Sequence, residues 1–204
     1  MTTTINADDG VVSGSAGLKY SADSSGVLAL QTNGTTAITV NTSQAVTMAG
    51  RTTNPTTISV GGATPSTSGA GITFPATASA STDANTLDDY EEGTWTVTVT
   101  ASTGSLTAYN QAGQYTKVGR LVTLNFYFQI TTLGTAGGAA VITGLPFSVA
   151  TSSISAGSAS ENAVSGVGGV VHTQSTTSLL VKTATGATPF IASAYWMCAI
   201  SYFS

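Results

Sequence analysis

The stretch RLVTLNFYFQIT, residues 120–131, alternates apolar and more polar side chains from Val122 onward. One face carries Leu124, Phe126, Phe128 and Ile130, and the other carries Thr123, Asn125, Tyr127 and Gln129. Successive side chains of a β-strand point to opposite faces, so this pattern predicts a strand with one buried face. The stretch WTVTVT, residues 95–100, alternates in the same way and predicts a second half-buried strand.

The rest of the C-terminal part is also typical of strands. Short strands are predicted at Ala140–Thr143, Gly169–Thr173 and Leu179–Thr183. The final segment AYWMCAISYF, residues 194–203, is apolar on both faces, which indicates a strand that is central in a sandwich or covered by another subunit. Since no segment has a helical period, the sequence predicts an all-β chain in which residues 85–204 form an antiparallel, jelly-roll-like β-sandwich.

The N-terminal segment, residues 1–50, contains a hairpin signal. Asn33-Gly34 favours a two-residue type I′ turn, which pairs Thr32 with Thr35 and Leu30 with Ala37. A lone hairpin is marginally stable in water, so we expect this β segment to pack on the C-terminal domain or on other subunits.

Residues 51–84 are rich in Pro, Gly, Ser and Thr and predict an extended connector. Within it, two short strands are expected at 57–60 and 72–74. The chain therefore divides into an N-terminal β segment, a connector and a C-terminal sandwich.

Charged residues are scarce: nine acidic and five basic residues give a net charge of −4 in 204 residues. The basic residues are scattered, so no nucleic-acid partner is expected. No apolar run approaches the ~20 residues of a membrane helix, and the N-terminus lacks signal-peptide features, so we expect a soluble protein made in the cytosol. The single Cys198 excludes a Cys-rich zinc site, and no metal or other cofactor is expected. A weakly charged, Thr-rich surface suits contact with further copies of the chain.

Four of the nine acids lie in TLDDYEEGTW, residues 86–95: Asp88, Asp89, Glu91 and Glu92. The two carboxylates of a glycosidase lie roughly 5–10 Å apart across a cleft, whereas these four come from a single turn. Their spacing also differs from that of a calcium loop. Thr86 and Asp89 fit a capping box, so the segment predicts a short helical turn before the Trp95 strand. A cation site and catalysis are the alternative interpretations.

No catalytic residue is expected elsewhere in the sequence. His172 lies on a predicted strand, and the chain has no G-x-S-x-G elbow to supply a nucleophile. Cys198 lies in an apolar strand, where cysteine usually acts as a small hydrophobe. Tyr127, on the polar face of its strand, is the candidate surface-contact aromatic, for a sugar or for subunit packing. The protein is therefore predicted not to be an enzyme.

Three segments taken together carry a resemblance: NTLDDYEEGTWTVTVT (85–100), GQYTKVGRLVTLNFYFQI (113–130) and ITGLPF (142–147). They resemble the C-terminal domain of many tailed-bacteriophage virion proteins, in which the acidic segment opens a β-sandwich. The upstream SGVLALQTNGTTAITVNTSQAVTMAG (25–50) is similar to the short β-repeats that precede such domains in phage fibres. The resemblance implies a homotrimer on the virion surface, without catalytic residues.

The anatomy of the chain favours one position on such a particle. Fifty N-terminal residues leave no room for the attachment domain and shaft of a long fibre, and the β-helix body of a depolymerase tailspike is missing. The resemblance therefore implies a capsid decoration (cement) protein on the outer capsid surface, bound to the major capsid protein or other virion proteins. The alternative is a receptor-binding tail-fibre or tailspike tip that contacts host surface polysaccharide. The host, the receptor, the strand order and the role of residues 1–50 stay open.

Overall fold

The computed structural model describes residues 28–32, 35–49, 57–65, 68–78 and 80–204. In these ranges every regular element is a β-strand, which confirms the all-β prediction. None of the described residues forms a helix that is long and apolar enough to cross a membrane. The chain falls into two compact units, Met1–Pro55 and Thr56–Ser204. The predicted turn at Asn33-Gly34 lies outside the described residues.

The first unit contains a small antiparallel sheet of order β1-β2-β3. Its strands are β1 (Leu28–Thr32), β2 (Thr35–Val40) and β3 (Val46–Met48). The predicted pairing of Thr32 with Thr35 is confirmed. Leu30, however, pairs with Ile38 and not with Ala37, because a β-bulge after Leu30 shifts the register by one residue.

The second unit begins with two short strands, β4 (Thr57–Ser59) and β5 (Gly71–Thr73), which pair in parallel. Both were expected in the connector. The other nine strands of this unit form one sheet: β6 (Tyr90–Trp95), β7 (Thr98–Thr103), β8 (Ala108–Val118), β9 (Leu121–Thr132), β10 (Gly137–Thr143), β11 (Ala156–Glu161), β12 (Gly168–Ser175), β13 (Ser178–Thr183) and β14 (Tyr195–Phe203). Their order is β6-β8-β9-β14-β11-β12-β13-β10-β7, and all neighbours are antiparallel.

The large sheet is curled because its two edge strands, β6 and β7, are consecutive in the chain and only Thr96 and Val97 separate them. Side chains of β8 bridge this seam. The Gln111 Oε1 atom accepts a hydrogen bond from the Val97 N–H, and the Tyr109 hydroxyl accepts one from the Val99 N–H, both at 3.0 Å. The single strand predicted over 95–100 is therefore divided, since the chain leaves β8 here and joins β10.

The core fills the inside of the curl. The predicted buried face of β9 is confirmed, with Leu124, Phe126, Phe128 and Ile130 all at most 5% exposed. Strand β14 is central, between β9 and β11, and contributes Trp196, Cys198, Ile200 and Tyr202. The outward-facing side chains of β14, by contrast, are partly or largely exposed within one chain.

Glycines let two aromatic rings lie against the neighbouring strand at the β6–β8 pair. Trp95 is directly opposite Gly113, and Gly93 is directly opposite Tyr115. A Cβ atom at Gly113 would lie 2.3 Å from the Trp95 Nε1 atom, well inside van der Waals contact. A glycine that is covered by a cross-strand aromatic ring keeps its place in a sheet despite its low β-propensity. These glycines are therefore packing positions.

Candidate functional site

The acidic segment 88–92 contains no helical turn, so that prediction is wrong. Residues 86–89 have no regular secondary structure, and from Tyr90 the chain pairs with β8 residue by residue to Trp95. Pairing with this eleven-residue strand satisfies the backbone groups of β6 that face β8. Such tertiary pairing outweighs the local capping pattern that favoured a helix.

Three of the four acidic side chains contact partners outside the segment. The carboxylate of Asp89 is buried and pairs with the buried ammonium of Lys117. The same ammonium lies 5.3 Å from the ring centroid of Phe147. The Oδ2 atom of Asp88 accepts a hydrogen bond from the Ser81 N–H at 2.8 Å. These contacts fasten the start of β6 to β8 and to the segment that follows β10.

The two glutamates of the segment accept hydrogen bonds from tyrosines. Glu91 binds the hydroxyl of Tyr115 at 2.5 Å, and Glu92 binds the hydroxyl of Tyr90 at 2.7 Å. These bonds raise the pKa of both tyrosines, because they stabilise the protonated phenol beside a carboxylate. Each of the four carboxylates thus has a partner, and none of these partners is a second carboxylate.

Sequence reasoning missed a fifth carboxylate, that of Glu161, which is only 1% exposed. It accepts hydrogen bonds from the backbone N–H groups of Ala163, Val164, Ser165, Gly166 and Tyr195 and from the Ser165 hydroxyl. Burial by itself raises the pKa of Glu161, but these donors together hold that pKa well below its usual range. The carboxylate therefore fixes loop 162–167 to the start of β14.

The two other candidate residues are not part of any described cluster. His172 is half-buried on β12, and burial, followed by the nearby charge of Lys182, lowers its pKa. Cys198 is buried in the core, and burial raises the pKa of its thiol. The described residues contain no group of three or more His, Cys, Asp or Glu side chains that could hold a metal ion.

The outer face of β8, β9, β14 and β11 carries two adjacent rows of side chains in register. The tyrosine row comprises Ala112, Tyr127, Met197 and Ser160. The amide row comprises Gln114, Asn125, Ala199 and Ser158. Both rows line an open groove of about 600 Å³. The structure therefore places Tyr127 at a concave surface that the sequence pattern did not reveal.

A second aromatic ring joins Tyr127 in this groove. The ring of Tyr195 stacks on that of Tyr127 with 5.0 Å between the centroids and 18° between the planes. Sequence reasoning missed Tyr195, although the alternation in residues 194–203 places it on one face with Met197. Only the pairing of β14 with β9 brings the two tyrosines together.

A third feature of the outer face is an apolar row at the end of the sheet, formed by Tyr90, Val118, Leu121 and Phe203. These residues are directly opposite one another across β6, β8, β9 and β14. Each is between 41% and 52% exposed, which is high for four neighbouring large apolar residues. Contiguous apolar patches of this kind are typical of interaction surfaces.

Comparison with family models, with curated proteins and with solved structures finds no match to this chain.

Proposed function

We propose that this chain is a structural protein of a tailed-bacteriophage virion, and specifically a homotrimeric decoration (cement) protein of the outer capsid. One observation carries the proposal: the three segments that resemble phage virion domains meet in space. Asp89 of the first segment pairs with Lys117 of the second, and Lys117 lies over the ring of Phe147 of the third. The resemblance therefore corresponds to one packed unit and not to scattered short matches.

The proposed mechanism is binding, without a reaction. In this proposal the two halves of the curled sheet enclose the core as a sandwich of the jelly-roll type, and residues 85–204 face outward from the particle. Residues 1–50 bind the capsid or pass between subunits. A trimer that bridges neighbouring capsid subunits adds contacts that oppose internal pressure.

The apolar row supports self-association. Removal of apolar surface from water contributes about 25 cal/mol per Å², and a stable interface buries about 800 Å² per partner. The four side chains of the row supply only part of that area, so residues outside the row complete the proposed contact. Scarcity of charge also removes much of the repulsion between copies, since only 7% of the residues are charged.

The position on the particle is tested by electron microscopy of virions labelled with antibody against this chain. The proposal expects label over the capsid, and label confined to tails would contradict it. Light scattering on the purified protein is expected to give three times the chain mass of 20.3 kDa. Leu121→Asp is expected to reduce that mass. Thr123→Asp, at the next outward position of the same strand, is the matched control.

A receptor-binding tail-fibre or tailspike tip is the second candidate, and the groove with Tyr127 is the observation that favours it. In that case the same trimer is carried on the tail, and its outward surface contacts host polysaccharide. Label restricted to tail tips, together with inhibition of adsorption by the purified protein, would select this function over capsid decoration.

A further inference from the structure

We propose that the groove on the outer face of β8, β9, β14 and β11 binds an uncharged saccharide. This site goes beyond capsid decoration, and it specifies the ligand of the second candidate function, the receptor-binding tip, which rests on the same groove. The volume of about 600 Å³ falls within the range of about 300–1,000 Å³ that is common for small-ligand pockets.

The aromatic part of the site is preorganised. Tyr127 and Tyr195 hold each other in a nearly parallel stack, and that contact occupies one face of each ring. Both residues line the groove and are half-buried, so their rings remain partly accessible from it. A pyranose ring presents an apolar C–H face of similar width to a phenol ring, and rigid aromatic surfaces bind such faces at little entropic cost.

The polar part of the site lies one row away. Gln114 and Asn125 are adjacent outward residues, about 7 Å along the strands from the tyrosine row. Among the described residues, neither side-chain amide has a hydrogen-bond partner, and both are exposed. Each amide offers donors and an acceptor, which suits the hydroxyl groups around the edge of a sugar whose face lies on a tyrosine.

The chemistry of the lining selects an uncharged ligand. All residues that line the groove are uncharged, so a sialic or uronic acid would find no cation to offset its desolvation. A strongly basic partner would find no anion among these residues either, although Glu92 lies in the adjoining cleft that Gln114 and Asn125 also line. The groove is open and its floor consists largely of small residues, including Ala112, Ala199 and Ser158, so an extended chain of sugars can lie across it.

The groove is compatible with the proposed trimer. A row of hydroxyl residues, Thr116, Thr123 and Ser201, separates the amide row from the apolar row. Four residues along a strand place the apolar row roughly 13 Å from the amide row. A subunit contact that extends from the apolar row away from the amide row therefore leaves the groove open.

The test uses the full chain on an array of neutral oligosaccharides of glucose, galactose, mannose and N-acetylglucosamine, with sialylated and uronic-acid oligosaccharides for comparison. Affinities are then measured by titration. We expect saturable binding to a neutral oligosaccharide, weakened at least about tenfold by Tyr127→Ala, which corresponds to about 1.4 kcal/mol of binding free energy. Tyr127→Phe, which keeps the ring, is expected to retain most of the affinity. Gln114→Ala is a second, fully surface variant, and Thr123→Ala is the control outside the groove.

Three results would overturn the assignment: no neutral oligosaccharide bound, binding to charged oligosaccharides alone, or binding that neither Tyr127→Ala nor Gln114→Ala weakens. Circular dichroism confirms that each variant is folded. Light scattering on the same preparations separates this proposal from the trimer. A monomer that binds sugar contradicts only the trimer. A trimer that binds none contradicts the groove assignment and removes the support for the receptor-binding candidate, but it leaves capsid decoration standing.

Discussion

Replacement of Glu161 by glutamine is expected to lower the free energy of unfolding by about 3–6 kcal/mol. Glutamine keeps the shape of the side chain but replaces one acceptor oxygen with an NH₂ group, which cannot accept. Either choice of orientation leaves at least two backbone N–H groups facing a donor: those of Ala163 and Tyr195 at one oxygen, or those of Ser165 and Gly166 at the other. A hydrogen bond to a charged group contributes about 1.5–3 kcal/mol, and two of them give the stated range.

The effect depends on pH in a direction that follows from the lowered pKa. Well above the ordinary value of 4.5, Glu161 is ionised in both the folded and the unfolded chain, so its full contribution to stability is present. Below that value the unfolded chain binds a proton that the folded chain does not, so this contribution decreases as the pH falls. The difference in stability between the wild type and Glu161→Gln is therefore expected to be largest near neutral pH and to shrink on acidification.

The assay is urea unfolding followed by tryptophan fluorescence at about pH 7 and about pH 3.5, on either side of the ordinary carboxyl pKa. Hydrogen exchange supplies a local readout, since the amides of residues 163–166 should exchange slowly in the wild type and rapidly in the variant. Glu92→Gln, the same substitution at an exposed position, should change stability by at most about 0.5 kcal/mol. A loss below about 1 kcal/mol for Glu161→Gln, or a difference that does not change with pH, would refute the reasoning.

Three further substitutions test contacts that β8 makes with Asp89 just before β6, with β6 and with β7. Lys117→Met leaves the carboxylate of Asp89 buried without its partner and is expected to lower the free energy of unfolding, measured in urea, by about 3–5 kcal/mol. An unchanged unfolding midpoint would mean that the pair is solvated. Gly113→Ala places a methyl group against the ring of Trp95, so it is expected to lower the free energy of unfolding by about 1–3 kcal/mol and to shift the tryptophan emission. A neutral effect would show that the ring is free to move. Tyr109→Phe removes the hydrogen-bond acceptor of an N–H group of β7 and is expected to lower the free energy of unfolding by about 1–3 kcal/mol. Hydrogen exchange of that amide should become faster. If the amide stays protected, the Tyr109 hydroxyl is not its partner.

Strand β9 shows how far alternation alone can go. Its inward residues are all apolar and its outward residues are mostly polar, so period two identifies both the strand and its buried face. The sequence likewise locates β10, β12 and β13, and it locates β14 from residues that are apolar on both faces. It does so because the core side chains of these strands need no partner other than one another.

Strand β8 shows why the rest could not be predicted from alternation. Its inward positions include Gln111, Gly113 and Lys117, which break the apolar pattern. Each is satisfied by a residue distant in sequence: the Val97 N–H binds Gln111, the ring of Trp95 covers Gly113, and Asp89 pairs with Lys117. Strand β11 is hidden for a similar reason, because its residues are small and its one large inward side chain is the buried Glu161.

By itself the amino-acid sequence determined the all-β class and the buried faces of the apolar strands, because side-chain period and burial are local properties of a strand. Tertiary structure decided the pairing order, the seam between β6 and β7, and the use of the carboxylates. It also decided that Tyr127 and Tyr195, from strands more than sixty residues apart, share one groove. The physical reason is that register between strands depends on contacts across the whole unit, and no local pattern contains them.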